Sequence, residues 1–150
     1  SHVEGAVLDH GTGTYTCSYC AQKAGVYALH ATVGPTSERL AHSPFQCVVS
    51  PTNCDAMQCK FAGEGLTRGL VGHPVTFTIF AHDRYRNRLG TTGGQPTSFS
   101  ATVSCVGGDV TTSSPMGGPS GDIMLSINDL MDGSWALQYT PKRSGVYDVK

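Results

Sequence analysis

The sequence predicts an all-β protein, an antiparallel sandwich assembled from a repeated unit. Three observations predict it. Short segments alternate apolar and polar residues, the period of a strand with one buried face. Gly, Pro, Ser and Thr gather between those segments as turn formers. A long stretch also occurs twice in one register, the mark of a repeated structural unit.

The repeat is explicit. Near the start the chain reads Asp9-His10-Gly11-Thr12-Gly13-Thr14-Tyr15-Thr16-Cys17-Ser18-Tyr19 and continues to Lys23-Ala24-Gly25-Val26-Tyr27. Near the end it reads Asp129-Leu130-Met131-Asp132-Gly133-Ser134-Trp135-Ala136-Leu137-Gln138-Tyr139 and continues to Arg143-Ser144-Gly145-Val146-Tyr147. Matched positions lie 120 residues apart throughout. The expectation is a unit of that length present in two incomplete copies.

Each strand follows from its own pattern. Tyr15, Cys17 and Tyr19 alternate with Thr16 and Ser18, and Trp135, Leu137 and Tyr139 repeat the alternation. Both sets are expected to face a core, and Gly13 and Gly133 suit the tight turns that precede them. After Gly25 a second strand is expected, with Tyr27, Leu29, Ala31 and Val33 on one face. Phe45-Gln46-Cys47-Val48-Val49 follows Ser43-Pro44, where proline is acceptable at a strand's start or edge. Val75-Thr76-Phe77-Thr78-Ile79 alternates after Gly72-His73-Pro74. Phe99-Ser100-Ala101-Thr102-Val103-Ser104-Cys105 is the strictest alternation in the chain, and Ile123 to Ile127 leads to the turn at Asp129–Gly133. No window carries a helical stripe with capping signals. Gly90 to Pro96 and Val106 to Gly121 read as loops, the second a mobile one.

Composition narrows the function classes. The chain has 150 residues and a formal charge of −1, with 39% hydrophobic and 14% charged residues. That balance supports a core and argues against disorder. It gives no electrostatic footprint for nucleic acid or for an anionic membrane. No apolar run approaches the roughly 20 residues of a membrane helix, and Ser1-His2-Val3-Glu4 lacks signal-peptide character. Of the six cysteines, Cys17 and Cys20 form a CxxC, while Cys54 and Cys59 have four residues between them and no histidine pair beside them. That spacing does not match a zinc framework, which uses two tight pairs across a regular gap.

These residues carry a family resemblance. The succession Asp9 to Tyr19, Gly25-Val26-Tyr27 and Ser43-Pro44-Phe45 resembles the last three strands of a filamin-type immunoglobulin-like repeat. Gly63-Glu64-Gly65-Leu66, Val71-Gly72, Pro74 and Phe77-Thr78-Ile79 resemble the start of the next repeat. Asp83 and Asn87, followed by Gly93-Gly94, resemble that family's turn between its second and third strands. The resemblance implies an immunoglobulin-like antiparallel β-sandwich in tandem filamin-type repeats with incomplete ends. Residues 1–50 would be the C-terminal strands of one repeat, 51–62 a linker and opening strand, and 63–150 most of a second repeat lacking its last strand. A sandwich short of strands exposes apolar core and unpaired edges. Either the polypeptide continues in both directions, or Phe45–Val49 fills the last-strand place of the second copy. The chain departs from the family in its 120-residue period, in Arg86 where Gly often precedes Asn, and in Cys20 where an apolar residue or Pro is usual. These departures mark a divergent module of another multidomain protein.

What the resemblance implies about function is a non-catalytic structural or scaffold module of a larger intracellular protein, cytoplasmic, cytoskeletal or ciliary. It would space domains and dock protein partners, the other domains of the same protein among them. The alternative is an extracellular adhesion module of a cell-surface protein. Filamin-type repeats bind partners by adding a strand beside their third and fourth strands, whose open edge offers unpaired N–H and C=O groups. In this chain that edge would involve Phe99, Ala101, Val103, Cys105, Ile123, Leu125 and Ile127, with the loop Val106–Gly121 placed to cover or open it. No actin-binding domain is present, so actin binding is not implied.

Catalysis finds little support in the residues, and no cofactor or metal site is expected. His2, His10, His30, His42, His73 and His82 are scattered over turns and strand ends. Cys17 with His30 would be the one nucleophile pair, but the pattern buries Cys17 and turns His30 outward. Arg84, Arg86 and Arg88 sit in the densest charged run. They read as a solvated turn in which Asp83 and Asn87 bond local backbone, or as a basic knob for an acidic partner. Cys17 and Cys47 fall on inward faces, which fits an inter-sheet disulfide or two small core residues. Asn53, Asn87 and Asn128 are the only asparagines and none heads a glycosylation sequon, which tilts toward a reducing setting.

Overall fold

The computed structural model describes residues 2–90, 98–107, 123 and 125–150. The loop expectations at 91–96 and 108–121 lie outside the described residues. The chain divides into two compact units, Ser1–Pro51 and Thr52–Lys150. All regular structure among the described residues is strand, apart from two short 3-10 turns, Ala56–Gln58 and Glu64–Leu66. Among the described residues no helix is long and apolar enough to cross a membrane.

The first unit contains β1 (Ala6–Asp9), β2 (Tyr15–Ser18), β3 (Gly25–Leu29), β4 (Thr32–Val33), β5 (Glu38–Arg39) and β6 (Phe45–Val49), paired as β1–β2, β3–β6 and β4–β5. The second contains β7 (Lys60–Ala62), β8 (Val75–Phe80), β9 (Val103–Gly107), β10 (Ser126–Asp129), β11 (Ser134–Tyr139) and β12 (Val146–Val149). There β10, β11, β8 and β7 form a four-stranded sheet in that order, and β9 pairs with β12. The fold is the all-β, immunoglobulin-like sandwich expected.

The second unit's core follows from alternation. In β8, Phe77 and Ile79 turn inward, and antiparallel pairing sets Phe77 beside Leu137, Ile79 beside Trp135 and Val75 beside Tyr139. Phe77, Ile79, Ala81, Leu89, Val103, Trp135, Leu137 and Tyr139 form one buried cluster. Tyr147 and Val149 of β12 and Val103 of β9 pack into the same cluster, so the two sheets share a core. Phe99 meets Trp135 edge to face at 4.7 Å, a preferred aromatic geometry. The buried Tyr139 hydroxyl donates to the Gly65 carbonyl at 2.7 Å, which satisfies its polar end.

The 120-residue offset persists in the structure. β1 pairs with β2 through Ala6–Ser18 and Asp9–Tyr15, and β10 pairs with β11 through Ser126–Gln138 and Asp129–Trp135, the same register shifted by 120. Asp9 Oδ1 accepts the Gly11 N–H, as Asp129 Oδ1 accepts that of Met131. Tyr27 donates its hydroxyl to the Lys23 carbonyl, and Tyr147 donates to that of Arg143. Gly11 has φ 67° and Met131 φ 61°, so a methionine occupies a left-handed position that its counterpart fills with glycine.

Burial does not repeat. Tyr15 is 62% exposed where Trp135 is 8%, and Tyr19 is 41% exposed where Tyr139 is 6%. Cys17 is exposed, which overturns the expectation that it faces a core. The reason is the strand alongside. Among the described residues β11 is flanked by both β10 and β8, whereas β2 pairs with β1 alone.

Other expectations also shift. The strand begun at Gly25 ends at Leu29, and Thr32–Val33 instead opens the small β4–β5 hairpin. β6 pairs with β3 of its own unit, Phe45 opposite Leu29 and Val49 opposite Gly25. The Phe99–Cys105 segment becomes a strand only from Val103 and runs on to Gly107, so Val106 belongs to β9 and not to a loop. Ile123–Ile127 gives way to β10 at Ser126–Asp129.

Candidate functional site

The residues expected to form a binding edge lie on and beside β9 and β10. Val103 is fully buried, and Phe99, Ala101, Ile123 and Leu125 are partly buried against the same core. Cys105 is half-buried, and Ile127, at the sheet's end, is 37% exposed. Most of these side chains therefore hold the sandwich together, and what the edge offers a partner is mainly backbone.

The backbone bonding can be traced strand by strand. Thr102 and Lys150 exchange both hydrogen bonds, at 2.8 and 2.9 Å, which extends the β9–β12 ladder by one pair. On the opposite side the Val103 carbonyl accepts the Ile123 N–H at 3.1 Å, so the approach to β10 lies against β9. In β10 the Leu130 N–H donates to the Ser134 carbonyl at 3.0 Å. Antiparallel pairs alternate between bonded and non-bonded types. Asn128 and Ser126 therefore aim their N–H and C=O at β11, and Ile127 and Asp129 aim theirs away from it.

The charged turn is organised around a buried carboxylate. Asp83 is fully buried. Its Oδ1 accepts the Tyr85 and Asn87 N–H groups at 2.9 and 2.8 Å, and its Oδ2 accepts the Thr52 N–H at 3.0 Å and Asn87 Nδ2 at 2.9 Å. Burial alone would push this carboxyl up. The donors outweigh it, Asn87's side chain first and then the Thr52, Asn87 and Tyr85 amides, and hold the carboxyl below its ordinary value. The reading of a merely solvated turn is thus incomplete, because Asp83 pins the start of the second unit at Thr52 to the turn after β8.

The three arginines make three different contacts. Arg84 lies over the Tyr85 ring at 5.2 Å. Arg86 has φ 64° and donates from Nε to Gln58 Oε1 at 3.2 Å. It thus occupies a glycine-favouring backbone position, the one where the resemblance puts glycine. Arg88 pairs with Asp132 Oδ2 at 2.9 Å and covers the Phe80 ring at 5.1 Å. Asp132 also accepts from the Ser134 side chain, the main cause of its lowered carboxyl, with Arg88 adding to it. Beside the turn, Thr52 to Ala56 with Arg84 and Tyr85 line an open groove of about 700 Å³.

Little else among the described residues has the makings of a chemical site. Every buried side-chain nitrogen and oxygen among the described residues has a hydrogen-bond partner. No group of three or more His, Cys, Asp or Glu among the described residues stands ready for a metal ion. None of the six cysteines is in a disulfide. Cys47 Sγ lies 3.0 Å from the Tyr19 hydroxyl, not against Cys17. Sequence reasoning missed the burial of Asp83. The signal was Asp83-x-x-x-Asn87 directly after an alternating strand, and its third partner, Thr52, is 31 positions away.

Known proteins supply the remaining observation. Residues 53–150 match the family description "Filamin/ABP280 repeat". The chain is 29% identical over 143 residues to Filamin-C of Rattus norvegicus, which is 95% of this chain and 4% of that protein. Filamin-C of Mus musculus matches to the same extent. Filamin-A of Drosophila melanogaster is 27% identical over 136 residues, 91% of this chain and 5% of that protein. The chain thus spans only a small fraction of the length of these relatives.

Proposed function

Because this chain belongs to the filamin/ABP280 repeat family, we propose that it is a structural module of a larger multidomain protein, docking protein partners without catalysing a reaction. Residues 1–50 close one repeat in this reading, 51–62 link and open, and 63–150 form most of the next. The division at Pro51–Thr52 and the family match from residue 53 support that partition. The setting is cytoplasmic, with a cytoskeletal or ciliary parent.

The observation that carries the reading is the outward direction of backbone groups at β10. Ile127 and Asp129 present N–H and C=O groups at the end of a sheet whose interior is filled by Phe77, Trp135 and Leu137. An added strand would satisfy those groups and gain main-chain affinity. Its alternate side chains would meet the exposed flank of Ile127, which supplies selectivity.

The test uses extended peptides selected from a random displayed library against the whole chain. Ile127→Pro removes an outward N–H without cutting the β10–β11 ladder, since proline is tolerated where the amide faces solvent. Selected peptides should alternate apolar residues and bind Ile127→Pro roughly tenfold more weakly, with an unchanged melting temperature confirming the fold. Equal affinity for the variant and the parent chain removes β10 as the docking edge.

A further inference from the structure

We infer that Cys54 and Cys59 form a redox staple at the start of the second unit, a thiol pair that closes reversibly when it meets a low-molecular-weight disulfide. The two sulfurs lie 3.5 Å apart. A disulfide needs about 2.05 Å, so the two sulfurs must close by about 1.5 Å to bond.

The intervening residues hold the pair in place. Asp55 caps the 3-10 turn Ala56–Gln58 by accepting the Met57 N–H at 3.0 Å. The Gln58 N–H returns to the Asp55 carbonyl at 2.9 Å, and Cys59 Sγ donates toward that carbonyl at 3.5 Å. On the other side the Asp55 N–H bonds the His82 carbonyl at 2.8 Å, and Cys54 bridges to Asp83. The turn is therefore bonded both within itself and to the strand end behind it. Both cysteines pack against the core without being sealed in it, and Cys54 lines the open groove beside Arg84. A small disulfide reaches the pair by that route.

The chemistry balances by thiol–disulfide exchange. One protein thiolate attacks the reagent's S–S bond, forming a mixed disulfide and releasing one reagent thiol. The second protein thiolate then attacks the protein sulfur of that mixed disulfide, forming the Cys54–Cys59 bond and releasing the other reagent thiol. Two protein thiols lose two protons and two electrons, and the reagent disulfide is reduced to two thiols. Burial first, and then the bond to Cys59, push the Cys54 thiol up to about 11. Closure should therefore accelerate as pH rises. The closed loop would lock the stretch that carries Thr52 to Asp83, stiffening the second unit where it begins.

The experiment treats the whole chain with oxidised glutathione at about pH 8, alkylates the remaining thiols and maps tryptic peptides by mass. The peptide from Leu40 to Lys60 carries Cys47, Cys54 and Cys59. It should lose two hydrogens and take one alkyl group, at Cys47, and dithiothreitol should reverse the loss. Cys47→Ser should keep the bond. Cys54→Ser and Cys59→Ser should abolish it, each leaving a glutathione adduct or a free thiol on the surviving partner. The inference is overturned if Cys54 and Cys59 both alkylate after the exposed Cys17 and Cys20 have reacted. It is equally overturned if the bond joins Cys47 to either, or if both sulfurs keep stable glutathione adducts. These outcomes are read on the parent chain, so they do not depend on a variant folding.

Discussion

Gly13 and Gly133 share a backbone angle, φ 81°, but only Gly133 has a neighbour that a methyl group would strike. A Cβ at Gly133 would overlap the Leu89 carbonyl oxygen, whereas one at Gly13 meets nothing within 4 Å. The two positions begin matching strands in the two units, so they separate the cost of the angle from the cost of packing.

Gly13→Ala should cost about 1 kcal/mol, the penalty of a left-handed residue with a Cβ. Gly133→Ala should cost more than about 3 kcal/mol, because the chain near Leu89 must move as well. Urea denaturation of each variant checks this. Equal losses would mean that the Leu89 segment yields freely.

The core of the second unit makes a similar contrast with its counterpart. Leu137 is fully buried between β8 and β10, while the matching Cys17 is exposed. Leu137→Ala should cost about 3 kcal/mol through lost transfer energy and the cavity left behind. Cys17→Ala should stay within about 0.5 kcal/mol. The single tryptophan, Trp135, reports the first change directly by its fluorescence.

Asp83 should make the second unit acid-sensitive. Its folded carboxyl is lowered from an unfolded value of about 3.9. The group's contribution is therefore fully present above the unfolded value and is lost as pH falls through the folded one. Thermal melts from neutral pH downward should show that loss. Asp83→Asn should flatten this part of the profile and cost about 2 kcal/mol at neutral pH, because an amide nitrogen would face buried donors. A variant with the parent's acid profile would show that other carboxylates dominate.

Much of the fold was legible because alternation and turn chemistry agree locally. Phe45–Val49 and Val75–Ile79 are strands as read, and β1 could have been found by carrying Ser126–Asp129 back along the repeat. Burial in the first unit was not legible, since Tyr15 and Trp135 share a pattern and differ in the strand beside them. Phe99 and Ala101 show a related limit. Their alternation marks a face that packs on the core, but the ladder to β12 begins only at Thr102. The candidate edge was legible as a place more than as a set of side chains. Spacing alone cannot tell whether Val103 faces a partner or the interior. The Asp83 cluster was half legible, because Asn87 is local in sequence and Thr52 is not.

Docking by strand addition is tested most directly by amide hydrogen exchange across β10 with a selected peptide bound. The Ser126 and Asn128 amides already face β11, and those of Ile127 and Asp129 face outward. Binding should slow exchange at Ile127 and Asp129 and leave Ser126 and Asn128 nearly as before. Protection that appears instead at β7 or at the Arg84–Arg88 turn, with Ile127 and Asp129 unchanged, would contradict docking at this edge.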